Sequence, residues 1–420
     1  MTKLRIIIVV CCFCWNHSAL AQRHPVILVH GFLASGDTWA GQYQRFRDAG
    51  YQEEEIVCYD WNSISMGIKP SLADSLLDDC ILHTLKKNGA QQVDLIGHSA
   101  GGGLCYRYLK DSLHASRVAH YIHVGSSALI RPAGPSGEVP TMTLSSKGDF
   151  ISGEQLPSQY IHHVRLKNAD HLAIAASAES FDSIYHFIHN RVPTQTDRGL
   201  PALPRMVKGR VVSIGENQPQ RFEPVTVYRF DPQTGKRLSD TAFRIMVTDS
   251  LGYWPPFNVP DSAYLEWVVS PKGSRAVHYF TEPMGRLQML YVRTLPATGF
   301  LAGLFRQLPT KSNQSVLAVY SSQHAMISGR DEVRVNNWLL TDPLKTPANK
   351  TIITSFVYDD GDGVTENQPI GQFGNGIFLN AVDAFLPAGN QQTIDLQFNQ
   401  RRMRIPAIPS DEALEVAVFY

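Results

Sequence analysis

Several features are scarce in this 420-residue sequence, and each scarcity excludes something. Six cysteines are too few for a disulfide scaffold, and none joins a histidine at zinc-finger spacing. The longest unbroken apolar run, Ile6–Trp15, is about half the roughly 20 residues a membrane-spanning helix needs. Neither sign of charge is in excess. Lys+Arg and Asp+Glu are 38 each, divided 18 and 18 over residues 1–205 and 20 and 20 over 206–420. Neither half therefore has the basic surface that phosphate backbones require, and no nucleic-acid partner is expected. There is no fixed-period repeat and no low-complexity tract. A charged fraction of 18% against 43% hydrophobic residues also excludes intrinsic disorder.

Lys3 and Arg5 precede the Ile6–Trp15 run, and Ala19-x-Ala21 follows it. A basic start, a short apolar stretch and a small-residue cleavage site read as a signal peptide over residues 1–21. The expected location is therefore extracellular or periplasmic. Cys14 lacks the small residues a lipid-attachment site would place before it. Cleavage removes Cys11, Cys12 and Cys14 and leaves Cys58, Cys80 and Cys105. These allow at most one disulfide in three pairings, or three buried thiols.

Residues 22–191 alternate short continuous apolar runs with helical periodicity. Strands are expected at 25–30, 56–59, 92–96, 119–125, 141–144 and 160–166, and helices at 38–49, 71–88, 100–109 and 178–190. Continuous apolar strands separated by helices imply a mostly parallel sheet covered on both faces, an α/β class domain. Residues 192–205 hold three prolines without periodicity and read as a linker. Beyond them, residues 206–420 show alternating strands and turn signals, an all-β, sandwich-like region. Asp359, Asp360, Asp362 and Glu366 are acidic enough for a calcium loop but lack its alternating register, so a solvated hairpin turn is expected there and no metal.

The chemistry concentrates in the first half. Gly97-His98-Ser99-Ala100-Gly101 lies between an expected strand and an expected helix, the context a G-x-S-x-G nucleophile elbow needs. Glycines two residues either side of Ser99 permit a turn too tight for a Cβ, and Gly102 and Gly103 continue the open packing. A serine hydroxyl needs a histidine to take its proton, and that histidine needs a carboxylate to fix its tautomer. In this arrangement the order is serine, acid, histidine, each after its own strand. Asp149 and His171 fill those places. Glu138 and Glu154 are the alternative acids, whereas Asp170 adjoins His171 and cannot turn back onto its ring. Backbone N–H groups of Ala100 and Phe32 are the expected oxyanion donors. Gly31 would let the Phe32 loop turn, and His30 would pin it.

His30–Trp39, Val93–Gly102 and Asp170–Ile174 resemble secreted prokaryotic lipases of the α/β-hydrolase superfamily. The whole chain resembles the two-domain, archaeal-type lipases, in which a small hydrolase core carries a C-terminal β-domain. Gly209, Thr234-Gly235 and Thr248–Gly252 look like a transthyretin or carboxypeptidase-regulatory sandwich (206–270), and His278-Tyr279 opens a further β module (271–420). The resemblance implies hydrolysis of carboxylic esters, acylglycerols among them, without a cofactor. It also implies a β-domain that holds lipid at an interface or shapes the acyl pocket. A polyester depolymerase is the alternative, and a surface-binding protein with a vestigial hydrolase half is a further one. The loop 126–140 is too short and Pro/Gly-rich for a helical lid, which leaves Trp61–Ile68 as the lid candidate and Ser126–Ile130 as pocket lining.

Overall fold

Period-two alternation decides how the first sheet is built. In β1 (Val26–Val29), Val26 and Leu28 pack in one apolar cluster and Ile27 and Val29 in another, because successive side chains of a strand point to opposite faces. A strand buried on both faces must be apolar throughout, and all four residues have no exposed surface. The computed structural model describes residues 23–64, 69–194, 206–374, 376–389 and 391–420. The expected signal peptide, residues 65–68 of the lid candidate and most of the expected linker lie outside them.

Five more strands complete the sheet: β2 (Ile56–Tyr59), β3 (Val93–His98), β4 (Val118–Val124), β5 (Thr141–Ser146) and β6 (His162–Leu166). All neighbouring pairs are parallel, in the order β2-β1-β3-β4-β5-β6. Helix α1 (Ala40–Asp48) leads from β1 outward to β2, and α2 (Pro70–Asn88) returns across to β3. Right-handed crossovers in opposite directions put α1 and α2 on opposite faces, and their buried residues fall in the two different clusters. Helix α2 starts with proline at its first turn and stops at Gly89, whose φ of 61° closes the C-terminus. Ala73, Leu77, Ile81 and Leu85 form its buried stripe, while Leu72 and Leu82 face solvent. After β3 come α3 (Ala100–Tyr108) and the single turn α4 (Ser112–Ala115), and after β6 come α5 (Ala173–Ala176) and α6 (Ala178–His189). No helix of the described residues is long and apolar enough to cross a membrane.

The second half stacks three sheets. A three-stranded sheet places β7 (Met206–Ser213) between Tyr253–Asn258 and Met289–Thr294. It packs through Val207, Val211, Trp254 and Val292 on one face of a nine-stranded sheet. The other face of that large sheet packs through Leu317, Val319 and Ala417 on a four-stranded sheet that contributes Ile394, Leu396 and Ile405. The nine-stranded sheet takes Leu265–Val269 and Ala276–Thr281 as antiparallel neighbours, so strands on both sides of the expected 270/271 boundary share it. The acidic stretch is less solvated than a plain hairpin turn. Asp359 is buried and accepts the Gly361 and Gly363 amides, and Asp383 accepts those of Asp360 and Glu366.

Buried contacts join the halves, among them an apolar cluster and an ion pair. Met289, Tyr291 and Val212 of the three-stranded sheet belong to the same apolar cluster as Trp39, Tyr43 and Phe46 beside α1. Within that contact Asp37 and Arg293 form an ion pair with N–O distances of 2.5 and 3.1 Å and side-chain exposures of 3% and 7%. Burial opposes the charge of Arg293, and Asp37 outweighs it, so the guanidinium stays protonated. Cys58, Cys80 and Cys105 are free thiols. Burial raises all three, Cys58 and Cys80 to about 12.

Removing one partner of a dry ion pair strands the other charge, which costs about 3–5 kcal/mol. Urea unfolding of Arg293→Leu is expected to show a loss of that size, with part of it regained in Asp37→Asn/Arg293→Leu. A single variant as stable as the parent would show that the pair is not what holds the contact.

Candidate active site

The reversal of strand order at β1/β3 decides where a site can form. The chain leaves β1 in one direction and β3 in the other, so the loops after their C-terminal ends part and open a crevice. Gly31–Asp37 follows β1 and Ser99 follows β3, on either side of that opening.

Ser99 has φ 52° and ψ −122°, a conformation an L-residue adopts only under constraint. Its neighbours show the constraint. A Cβ on Gly97 would lie 2.7 Å from the Gly101 carbonyl oxygen, and a Cβ on Gly101 would lie 2.4 Å from that of His30. Elbow and β1 loop therefore touch backbone to backbone. Ser126 Oγ donates to the Ser99 carbonyl at 2.7 Å, and Tyr121 donates to that of Gly102 at 2.7 Å, fixing the start of α3.

The structure brings the expected histidine and acid to this serine. Ser99 Oγ lies 3.0 Å from His171 Nε2, and His171 Nδ1 lies 3.0 and 2.9 Å from the two Asp149 oxygens. Asp149 also accepts the Ile151 and Ser152 amides at 2.9 and 3.0 Å and the Ser152 hydroxyl. Burial disfavours its charge, but His171 and these donors outweigh burial and hold the carboxyl below its ordinary value. A lowered native value means that the ionised carboxylate stabilises the fold above about pH 4. That contribution is lost as pH falls through the native value. The alternative acids are elsewhere: Glu154 pairs with Arg165, and Glu138 accepts the Ser136 amide.

His98 is structural. Its Nε2–H donates to the His171 carbonyl at 2.7 Å, and burial, followed by the neighbouring His171, pushes its basicity down to about 3. The ring stays neutral and works as a fixed donor that anchors the His171 backbone. Asp170 anchors the same segment from the other side. Its Oδ1 accepts the Leu172, Ala173 and Ala325 amides at 3.0, 2.9 and 3.0 Å, and its Oδ2 lies 3.2 Å from Arg330.

On the β1 side, the amide of Leu33 is taken by Ser63 Oγ and that of Ala34 by the Gly31 carbonyl. The Phe32 amide has no hydrogen-bond partner among the described residues. Ala100, the first residue of α3, has one of the amides a helix start leaves unpaired. His30 holds the loop as expected, donating from Nδ1 to the Gly31 carbonyl at 2.8 Å. Its Nε2 accepts from the Trp61 amide and from Asn217, at 3.1 and 3.2 Å.

Asn217, Phe378 and Arg293, all from the β half, were missed by sequence reasoning. Asn217 is buried at φ 57°. Its Nδ2 reaches His30, the Ala34 carbonyl at 2.9 Å and the Trp61 carbonyl at 3.0 Å, while its Oδ1 accepts from Ser35 Oγ. One amide thus ties the Phe32 loop to the segment after β2. Phe378 has φ 67°, a strained state for an aromatic residue, and its ring stacks on His171 at 5.4 Å and 12°. Phe378 and Phe32 both line a narrow apolar cavity whose other walls include Leu172, Tyr279, Phe305 and Phe356. No local signal marks any of these residues, because each acts across more than 150 positions of chain.

Residues 24–153 match the family model for the alpha/beta hydrolase fold. The first half is an α/β-hydrolase core. Residues 205–297 match the Lipase C-terminal domain model, and residues 293–419 match a further C-terminal domain model, so a mostly β C-terminal domain follows the core. A putative non-heme chloroperoxidase from a Synechocystis species is 35% identical over 94 residues, 21% of this chain and 32% of that protein. The chain thus spans about a third of the length of that relative. Among solved structures, a predicted CIB-like hydrolase from Thermoplasma acidophilum is similar at 16% identity and TM-score 0.31, covering 41% of this chain and 88% of that one. An esterase from a Rhodococcus species is similar at 13% identity and TM-score 0.30, covering 40% and 90%. The naproxen esterase of Bacillus subtilis is similar at 13% identity and TM-score 0.27, covering 40% and 84%.

A fluorophosphonate reports how reactive Ser99 is. Displacing a reacting group by about 1 Å can cost about 100-fold, so Asn217→Ala is expected to slow labelling of Ser99 by about that factor. Phe378→Ala is expected to slow it less, with Phe378→Leu closer to the parent rate. Unchanged labelling in Asn217→Ala would show that the loop holds itself.

Proposed function

We propose that the protein is a serine ester hydrolase of the lipase or carboxylesterase kind, exported by the signal peptide read in residues 1–21. Its substrates are carboxylic esters with an apolar acyl group, acylglycerols among them. The observation that carries this reading is the unbroken hydrogen-bonded series Ser99–His171–Asp149 beside the apolar cavity.

In this mechanism Ser99 Oγ attacks the ester carbonyl carbon while its proton passes to His171 Nε2. Asp149 holds the Nδ1 proton and stabilises the imidazolium that forms. The carbonyl oxygen takes up negative charge facing the Phe32 and Ala100 amides. Collapse of the tetrahedral species breaks the bond to the alcohol, which leaves with the proton from His171. Water then attacks the acyl-enzyme, gives its proton to His171, and the acid departs as Ser99 regains its hydrogen. The chemistry calls for no metal or organic cofactor. A narrow cavity enclosed between the two halves favours a single acyl chain over the broad face of a polymer film. Its apolar walls support contact with lipid through hydrophobic surface, with little dependence on salt.

Ser99→Ala is expected to lower kcat on p-nitrophenyl esters by about 10⁶-fold, with the circular dichroism spectrum unchanged. Asp149→Asn, which favours the wrong tautomer, is expected to lose about 10⁴-fold. Parental activity in Ser99→Ala would overturn the assignment.

A further inference from the structure

The opposite end of the sheet carries a second cluster of reactive side chains, and the ester chemistry makes no use of it. Asp94 is the second residue of β3, five positions before Ser99, or about 16 Å along a strand. It pairs with His120 of β4 in the sheet register, and its amide bonds to Pro25 just before β1. Three neighbouring strand starts therefore converge, and they bring His24, Asp94 and His120 together. One ligand atom from each lies within 4.8 Å of the other two.

We propose that His24, Asp94 and His120 bind one divalent cation of the zinc type. Asp94 has no exposed surface, and its Oδ2 is buried with no hydrogen-bond partner among the described residues. Both imidazoles approach the other oxygen, Oδ1, with His120 Nδ1 at 2.7 Å and His24 Nδ1 at 3.5 Å. A buried, unpaired carboxylate oxygen is costly, and hydrogen bonding by the two histidines leaves it unmet. A cation that took both carboxylate oxygens along with the two imidazoles would meet it.

The spacing suits a metal. Tetrahedral bonds of about 2.0–2.1 Å place ligand atoms about 3.3 Å apart, and the two measured separations lie on either side of that value. The donor set sets the class. Two imidazole nitrogens and one carboxylate oxygen suit zinc, whereas magnesium and calcium take oxygen ligands. Access is present as well. The His24 and His120 side chains are 34% and 24% exposed, and both border a surface depression that also includes Glu138. Three protein ligands would leave a fourth position for a water molecule. Because the three ligands join the starts of β1, β3 and β4, a bound ion would clamp the edge of the sheet away from Ser99.

The test uses the full chain, stripped with a chelator and titrated with zinc chloride by calorimetry. One equivalent is expected to bind saturably and to raise the thermal unfolding midpoint by several degrees. His24→Ala/His120→Ala is expected to bind at least about 100-fold more weakly, whereas His171→Ala keeps the site. Uptake that disappears with His171 instead, or no saturable uptake by the parent chain, overturns the proposal. Should the double variant fail to fold, cobalt(II) added to the parent chain serves in its place. A visible absorption band of four-coordinate cobalt, displaced by zinc, is expected, and its absence overturns the proposal.

Discussion

The side chain of Asn217 is the point on which the candidate site rests. It enters the hydrolase core from the β half and occupies donors and acceptors on two separate loops. Without it His30, Ser35 and two carbonyls would lose partners in a dry environment, where each unmet group costs about 1–3 kcal/mol. The loop so held is the one that presents the Phe32 amide to the crevice. Geometry at the reacting atom is thus set partly by a residue that never approaches it.

The same logic recurs on the histidine side. His171 has one neighbour, Asp170, gripped by Arg330 and the Ala325 amide, and its ring is covered by Phe378. Its carbonyl is held by His98 from inside the core. The elbow at Ser99 is held from within the core, where Gly97 and Gly101 let its backbone pack closely and Ser126 and Tyr121 hold its carbonyls. The core therefore supplies Ser99, Asp149 and His171, while the β half immobilises the Phe32 loop and the segment around His171. Residues 206–420 so gain a structural reason to exist that does not depend on their touching lipid.

Legibility in the sequence followed the range of the forces involved. The strands of the first sheet and the stops of its helices were readable because they are local: the Val26–Val29 run, the turn at Gly89, the elbow glycines. The order Ser99, Asp149, His171 was readable because a parallel sheet places successive loop residues at one edge. What stayed hidden depends on contacts between distant segments. Nothing near Asn217 or Phe378 distinguishes a buried tether or a ring against His171 from ordinary turn and strand residues. Asp37 and Arg293 are separated by 256 positions, and only folding shows that they meet. Sheet membership in the second half was obscured for the same reason. Ala276–Thr281 pairs with Ala413–Phe419, an arrangement no local pattern encodes.

The buried pair of Asp37 and Arg293 also bears on how such a chain can change over generations. An exposed charge can be replaced alone with little effect, but a dry ion pair passes through an unfavourable intermediate whichever partner is replaced first. The two halves are thereby bound to a shared history. A core recombined with a foreign β-domain would carry an unmatched carboxylate at the contact between them, so the heritable unit here is the matched couple of domains.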